Sequence, residues 1–146
     1  MEKIRSGLKL IRKYPFQVKG FFMMAYPTET LADIDETIKL STSLDLDQAF
    51  FSVFIPIPGT KEFIQLEKEG KIDVNTCDWD NFYSGKNTNP PFVPDSLTAD
   101  DLRKASSRAF KAFYFRPAIA LRLLRRISNF NEIKIIFRLA RSLLFK

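Results

Sequence analysis

A run of almost wholly apolar residues, AFFSVFIPIPG from Ala49 to Gly59, constrains the fold of this chain more than any other feature. A half-buried antiparallel strand would alternate apolar and polar residues, whereas Ser52 is the only polar interruption of this run before Ile57. Such a run is typical of a parallel β-strand that is covered on both faces. Because proline has no N–H to donate to a neighbouring strand, strand pairing is expected to stop near Ile55.

A second apolar run of strand length, VKGFFMMAY, covers Val18–Tyr26. After it, Thr30 is a candidate N-cap with Asp33 at the third following position, which predicts a helix start. Thr60 is the candidate N-cap of a second helix, which is expected to end at Gly70. The order strand, helix, strand, helix predicts two parallel strands joined by a right-handed crossover.

The rest of the chain reads as helix and loop. A helix is predicted over Lys3–Tyr14 and another from the Thr98 cap, ending near Pro117 because proline disfavours helical geometry before it. Two basic amphipathic helices are predicted after that, over Pro117–Ile127 and Asn131–Phe145. The predicted organisation is a βα region at residues 1–70, an aromatic-anchored loop at 71–97 and a basic helical extension at 98–146. The expected loop anchors are Trp79, Phe82, Tyr83 and Phe92.

Two strands are too few for this kind of sheet. Parallel sheets need cover on both faces, and three or more strands are needed for stability in water. We therefore expect the strands to gain neighbours, either from the N-terminal part of a longer protein or from self-association.

Composition excludes several kinds of chemistry. The chain has no histidine and a single cysteine, Cys77, which excludes histidine-based triads, an internal disulfide and a cysteine-cluster metal site within these 146 residues. No apolar run reaches the roughly 18 residues of a membrane-spanning helix, and no signal-peptide pattern is present. A cytoplasmic location is therefore expected, with a peripheral membrane location as a variant of it.

The charge is unevenly distributed. Residues 1–101 hold 11 basic and 16 acidic residues, whereas residues 102–146 hold 12 basic residues and one acid, Glu132. Basic amphipathic helices can lie on anionic membranes, so a non-enzymatic membrane-surface or interaction module is the alternative function. The more common role of such helices is to cover the core of the protein with their apolar side while the basic side faces solvent, and this role is favoured here. Specific nucleic-acid binding is disfavoured, because no recognised nucleic-acid-binding motif accompanies the charge.

The spaced segments VKGFFMMAYPTET, FSVFIPIPGTKEF and LTADDLRKASSRAFKAFYFRP resemble the radical S-adenosylmethionine (radical SAM) enzymes, in particular the subgroup with an upstream cobalamin-binding domain. The resemblance covers most of the chain to about Arg126. It implies an α/β fold that forms the C-terminal two βα units of a partial (β/α)6 TIM-like barrel. The Pro-Gly-Thr break at Pro58–Thr60 would then be the point where a buried strand emerges at the ligand-facing rim.

The resemblance also implies where ligands would lie. The strand motif of the family, G-x-I-x-G-x-x-x-E, aligns its isoleucine with Met23 and its glutamate with Glu29. Both glycines of this motif are replaced, by Phe21 and Ala25, and the usual Pro-Gly-Glu-Thr of the family reads Pro27-Thr28-Glu29-Thr30 here. No catalytic or metal-binding residue is assigned. The implied contributors to the SAM-adenine and substrate wall are Met23, Met24, Ala25, Glu29, Ile55 and Pro56.

The family resemblance implies SAM, a [4Fe–4S] cluster and cobalamin in a full-length enzyme, yet this chain alone is expected to hold no cofactor. The cluster of the family is bound by a C-x-x-x-C-x-x-C motif, which one cysteine cannot supply. The expectation is therefore a C-terminal fragment of a radical SAM oxidoreductase or methyltransferase-like enzyme, with Met1 inside the body of that enzyme. Such a fragment would be inactive alone.

Overall fold

The computed structural model describes residues 1–76 and 90–124, and these form a mixed α/β structure. Along the chain, its elements are α1 (Glu2–Ile11), β1 (Lys19–Met24), α2 (Leu31–Ser43), β2 (Gln48–Val53), α3 (Lys61–Lys68), α4 (Ala99–Tyr114) and α5 (Pro117–Leu124).

The two strands are parallel, as the sequence predicts. The register runs from Lys19 opposite Gln48 to Met24 opposite Val53. Just beyond β2, the Phe54 N–H donates to the Met24 carbonyl at 2.7 Å, so the two segments that follow the strands leave the sheet side by side. In the described part of the chain these two strands make up the sheet.

Local signals place the helix ends. Thr30 and Asp33 form a reciprocal capping box at the start of α2, and Thr98 and Asp101 form another at the start of α4. Each box satisfies two backbone N–H groups that a helix start leaves without partners. Helix α4 ends at Tyr114, shortly before Pro117, as predicted.

Helices α2 and α4 cover one face of the sheet. Their apolar side chains meet those of the strands in a cluster that is almost free of solvent. Its members are Met24, Ala25, Ile34, Ile38, Val53, Leu97, Leu102, Ala105 and Ala109. A second cluster beyond the strand ends contains Phe92, one of the aromatic residues expected to anchor the loop, and this side chain is buried there.

The other face of the sheet is open. Phe21 is 79% exposed and Phe50 is 47% exposed, and their rings stack with centroids 5.1 Å apart. The sequence predicts cover on both faces, but the described residues cover one. The apolar character of the open face therefore has no explanation within the described part of the chain.

Ion pairs attach α1 and α5 to the loop before β2, at the amino ends of the strands. Arg12 of α1's C-terminal end and Arg122 of α5 both pair with Asp45 and Asp47 in the loop before β2. These contacts fasten two peripheral helices to the same loop.

Several predictions fall outside the described residues. They concern Cys77, the loop aromatics Trp79, Phe82 and Tyr83, and the basic extension after Leu124. In residues 1–76 and 90–124, no helix has the length and apolar character needed to cross a membrane.

Candidate functional site

The carboxyl ends of β1 and β2 form the candidate site. Because the strands are parallel, the segments that follow Met24 and Val53 emerge at the same edge of the sheet. This is the edge where open α/β sheets and barrels carry their ligands. All six residues predicted from the sequence lie at or just beyond it.

Met23 lies on the open face. Met23 is 51% exposed. It lies opposite Ser52 on β2, which is also exposed. With Phe21 and Phe50 one step deeper, they form an uncharged surface two strands wide toward the carboxyl ends of the strands, while Lys19 and Gln48 follow on the same face at the amino ends. This surface can contact an apolar molecule, and it carries the Ser52 hydroxyl as a hydrogen-bonding group.

Three of the predicted residues are buried instead. Met24 is 1% exposed and Ala25 is 0% exposed, both within the cluster under α2 and α4. Pro56 is also fully buried. Ile55 is half-buried and packs against the second cluster. Within the described residues, Met24, Ala25 and Pro56 therefore support the rim from beneath.

Glu29 closes the turn between β1 and α2. Its carboxylate accepts a hydrogen bond from the Tyr26 N–H at 3.2 Å, while its own N–H donates to the Tyr26 carbonyl at 2.8 Å. Its carbonyl accepts from the Ser96 hydroxyl at 2.8 Å, which ties the turn to the segment before α4. Glu29 is thus a turn-forming residue on a half-buried position of the rim.

Ala25 has a left-handed backbone, with φ of +64°. This conformation costs an L-residue about 1–2 kcal/mol and favours glycine. The Ala25 side chain is fully buried and belongs to the apolar cluster under α2 and α4. Ala25 therefore retains a glycine-like backbone at the end of β1 while its methyl group fills the core.

We expect Ala25→Gly to change the free energy of unfolding by no more than about 0.5 kcal/mol, because relief of the left-handed strain offsets the lost methyl burial and the greater freedom of glycine when unfolded. Ala109 is the matched control, since it is 0% exposed in the same cluster but lies in α4. There Ala109→Gly should cost about 1.5–2 kcal/mol, since helix propensity and methyl burial are both lost. Urea denaturation measures the free energy of unfolding of both variants. Equal losses of stability in the two variants would contradict backbone strain at Ala25.

Sequence reasoning missed one polar pair at the rim. The Tyr26 hydroxyl donates to the Glu62 carboxylate at 3.1 Å, and this hydrogen bond raises the pKa of Tyr26 above its ordinary value, with smaller effects of burial and of the Glu62 charge. The pair borders a shallow cavity of about 280 Å³, lined by Tyr26, Pro27, Lys61, Glu62, Gln65 and Leu66. The sequence signal that could have revealed the Tyr26–Glu62 pair is the predicted helix start at Thr60. This start places Glu62 in the first turn of α3, beside the end of β1.

Metal binding finds no support at this site. In residues 1–76 and 90–124, no three His, Cys, Asp or Glu side chains are grouped in a way that could hold a metal ion. The open face itself presents no carboxylate, since by the alternation of the strands its residues are Lys19, Phe21, Met23, Gln48, Phe50 and Ser52.

Comparison with known proteins gives relatives but no family profile. No protein-family profile matches the sequence. An uncharacterized methyltransferase of Pyrococcus horikoshii is 28% identical over 117 residues, which are 80% of this chain and 24% of that protein. A protein of Methanocaldococcus jannaschii, provisionally named a methylthiotransferase, is 38% identical over 60 residues, which are 41% of this chain and 13% of that protein.

The chain thus spans about a quarter, or less, of the length of the relatives it matches. Both relatives are named for the transfer of a one-carbon or methylthio group.

Proposed function

We propose that this chain forms the C-terminal two βα units of the barrel of a radical SAM enzyme of the methyl- or methylthio-transferring kind. The observation that carries the proposal is the parallel β1–α2–β2 unit whose open apolar face and strand-end turn coincide with the motifs VKGFFMMAYPTET and FSVFIPIPGTKEF. The names of the two relatives support the reaction class.

The distribution of cover on the sheet supports a barrel. In a (β/α) barrel the helices lie on the outer face of the strands and the inner face lines the interior. Here α2 and α4 cover one face, while Phe21, Met23, Phe50 and Ser52 remain on the other. In the proposed enzyme these four residues face the interior, where further strands and a ligand would cover them.

The residues fit the three implied cofactors unequally. A [4Fe–4S] cluster with three cysteine ligands does not fit this chain, because it has one cysteine, and cobalamin ligation through histidine does not fit because it has none. An apolar wall for SAM does fit, since Met23 is exposed at the end of β1 and Ile55 is half-buried at the end of β2. Met23 and Ile55 are therefore the proposed SAM-side contacts, and Glu29 holds the turn between them and α2.

The buried members of the predicted site take a different role in this proposal. Met24, Ala25 and Pro56 set the position of the rim by packing against the core, and none of them touches the ligand. A ligand near the rim would instead meet the Tyr26–Glu62 pair.

The membrane-surface alternative gains no support from α5, which corresponds to the first of the two basic amphipathic helices predicted after Arg116. In α5, the Arg122 guanidinium turns inward, donating to Asp45 at 2.9 Å and to the Leu46 carbonyl at 3.2 Å. A cation paired with the body of the protein is less available to a lipid headgroup. Residues 125–146, on which the alternative chiefly depends, lie outside the described part of the chain.

We expect the purified chain alone to form no 5′-deoxyadenosine from SAM under anaerobic reducing conditions, because reductive cleavage requires a cluster that this chain cannot ligate. Iron and sulfide are supplied for reconstitution, and the product is measured by liquid chromatography with mass spectrometry. SAM cleavage by the chain alone would overturn the proposal.

A further inference from the structure

A shallow cavity of about 280 Å³ lies between the turn after β1 and the first two turns of α3. Tyr26 and Pro27 line it on the side of the turn, and Lys61, Glu62, Gln65 and Leu66 line it on the side of the helix. Leu66 is 2% exposed and belongs to the second buried cluster, so the cavity has an apolar base below its charged and polar walls. The proposed SAM-side contacts, Met23 and Ile55, do not line it.

Tyr26 holds the Glu62 carboxylate in place. The Tyr26 hydroxyl donates to that carboxylate at 3.1 Å, and the Tyr26 ring packs edge-on against the Phe54 ring with centroids 5.2 Å apart. The bond to Glu62 raises the pKa of Tyr26 above its ordinary value, so the phenol keeps its proton at neutral pH and continues to donate. A carboxylate held by a fixed donor is pre-organised, which lowers the entropy lost when a ligand binds.

Glu62 differs from two other carboxylates at this edge. Glu29 accepts from the Tyr26 N–H, and Asp33 accepts from the N–H and hydroxyl of Thr30, so both stabilise the backbone between β1 and α2. Glu62 is half-buried, and in residues 1–76 and 90–124 no lysine or arginine nitrogen lies within 4.0 Å of its carboxylate oxygens. A carboxylate has about four lone-pair sites, and the Tyr26 hydroxyl uses one of them. A ligand with N–H groups can use the others.

Lys61 adds a charge of the opposite sign to the same cavity. Its side chain is exposed and lines the cavity beside Glu62. Adjacent residues on a helix do not face each other, and within the described part of the chain no ion pair joins Lys61 to Glu62. A ligand group with a single charge is attracted by one of these side chains and repelled by the other, whereas a zwitterion is attracted by both.

We infer that this cavity is a subsite for the α-amino acid group of the substrate, with the substrate ammonium group on the Glu62 carboxylate and the substrate carboxylate toward Lys61. The substrate is then a free amino acid, or a small molecule that keeps an intact α-amino acid group. A residue within a peptide chain lacks both charges and does not match the cavity. Binding of this group rests on the contacts around the cavity, whereas its assignment to the substrate rests on the proposed function.

Titration of the chain with L-norvaline, followed by two-dimensional amide NMR, tests the site directly. We expect the amides of Tyr26 and Glu62 to shift and to saturate with a dissociation constant on the order of 10 mM, as for other ligands of this size. Norvalinamide lacks the carboxylate and N-acetylnorvaline lacks the ammonium group. Each should bind at least about fivefold more weakly than norvaline, because one charge of the cavity then has no partner.

Substitutions in α3 identify the side chains that recognise each charge. Glu62→Gln should weaken norvaline binding at least about fivefold and abolish the preference for norvaline over N-acetylnorvaline. Lys61→Gln should abolish the preference for norvaline over norvalinamide. Glu67→Gln and Lys68→Gln are the matched controls, since both residues are exposed on α3 and do not line the cavity. Both controls should bind the three probes as the wild type does, and circular dichroism confirms that each variant is folded.

SAM distinguishes the two sources of the group, because SAM itself carries an α-amino acid group. At equal concentration SAM should not displace norvaline from the wild-type chain, and displacement would assign the cavity to the cofactor and overturn its assignment to the substrate. Absence of saturable shifts at Tyr26 and Glu62, equal binding of the three probes, or unchanged binding in Glu62→Gln would each overturn the site. If norvaline binds here while an enzyme completed with this chain fails to cleave SAM, the proposed function is wrong and the site remains.

Discussion

Asp47→Asn is expected to lower the free energy of unfolding by about 2–3 kcal/mol, which corresponds to a fall in melting temperature of roughly 10 °C for a domain of this size. The Asp47 side chain is only 10% exposed and pairs with Arg12 at 2.9 Å and Arg122 at 3.3 Å. It also accepts a hydrogen bond from the Val18 N–H at 2.7 Å, immediately before β1. One carboxylate therefore joins α1, α5 and the two strands.

The effect should be large because the partners are also partly shielded. The Arg12 side chain is 24% exposed and the Arg122 side chain is 39% exposed. Asparagine keeps the size of the side chain and one acceptor oxygen, but it leaves both guanidinium groups with Asp45 alone. Two partly shielded guanidinium groups then face one carboxylate instead of two, and the carboxylate that is lost is the more deeply buried one.

Asp95→Asn is the control for Asp47. The Asp95 side chain pairs with Lys71 at 2.8 Å but is 76% exposed, so its loss should cost no more than about 0.5 kcal/mol. Chemical denaturation monitored by circular dichroism measures both variants. Equal effects of the two substitutions would contradict the role assigned to Asp47.

The loss at Asp47 should depend on pH. Burial opposes ionisation of this carboxyl, but the Val18 and Arg12 hydrogen bonds, with the charges of Arg12 and Arg122, hold its pKa below the ordinary value. A group whose pKa is lower in the folded state stabilises above its unfolded pKa, about 3.9 for aspartate, and loses that stabilisation as the pH falls through its folded pKa. The difference between wild type and Asp47→Asn should thus narrow on acidification from pH 6 toward pH 3. A constant difference would contradict this ion-pair account.

Features that depend on adjacent residues were predictable from the sequence. The capping boxes at Thr30 and Thr98 were predicted because a hydroxyl and a carboxyl three residues apart can satisfy each other's backbone groups without help from the rest of the chain. The parallel pairing of β1 and β2 was predictable because a helix-length crossover leaves little other choice.

Features that depend on distant residues were not predictable. The sequence shows that Phe21 and Phe50 are apolar, but not whether anything within the described chain covers them. The contact between Tyr114 and Ala49 joins residues 65 positions apart and has no local signature. Which helix packs on which face is decided by the whole arrangement of the core.

The six predicted site residues lie at the carboxyl edge of the sheet, but their side chains divide in a way that the sequence only partly reveals. Successive residues of a strand face opposite sides, so Met23 and Met24 cannot both line one face. The alternation then fails after the strand ends, because Ala25 takes a left-handed conformation and turns the chain. That turn, together with Pro56, directs part of the predicted site into the core.

A chimeric enzyme tests the central claim most directly. In the methyltransferase relative of Pyrococcus horikoshii, the segment that matches this chain would be replaced by all 146 residues of the chain. The measured quantity is the rate of 5′-deoxyadenosine formation from SAM under anaerobic reducing conditions, with the unaltered relative as the positive control. A deletion of the same segment is the negative control.

Two variants of the chimera locate the effect. Met23→Asp places a charge on the open face, where desolvating it beside an apolar ligand should slow the reaction at least about tenfold. Ile64→Asp is its matched control, since Ile64 is 42% exposed on α3, and it should leave the rate unchanged.

The account predicts that the chimera cleaves SAM, that the deletion does not, and that Met23→Asp impairs the chimera whereas Ile64→Asp does not. A folded chimera with no more SAM cleavage than the deletion would contradict the account. A relative that leaves SAM intact under the same conditions would contradict it equally.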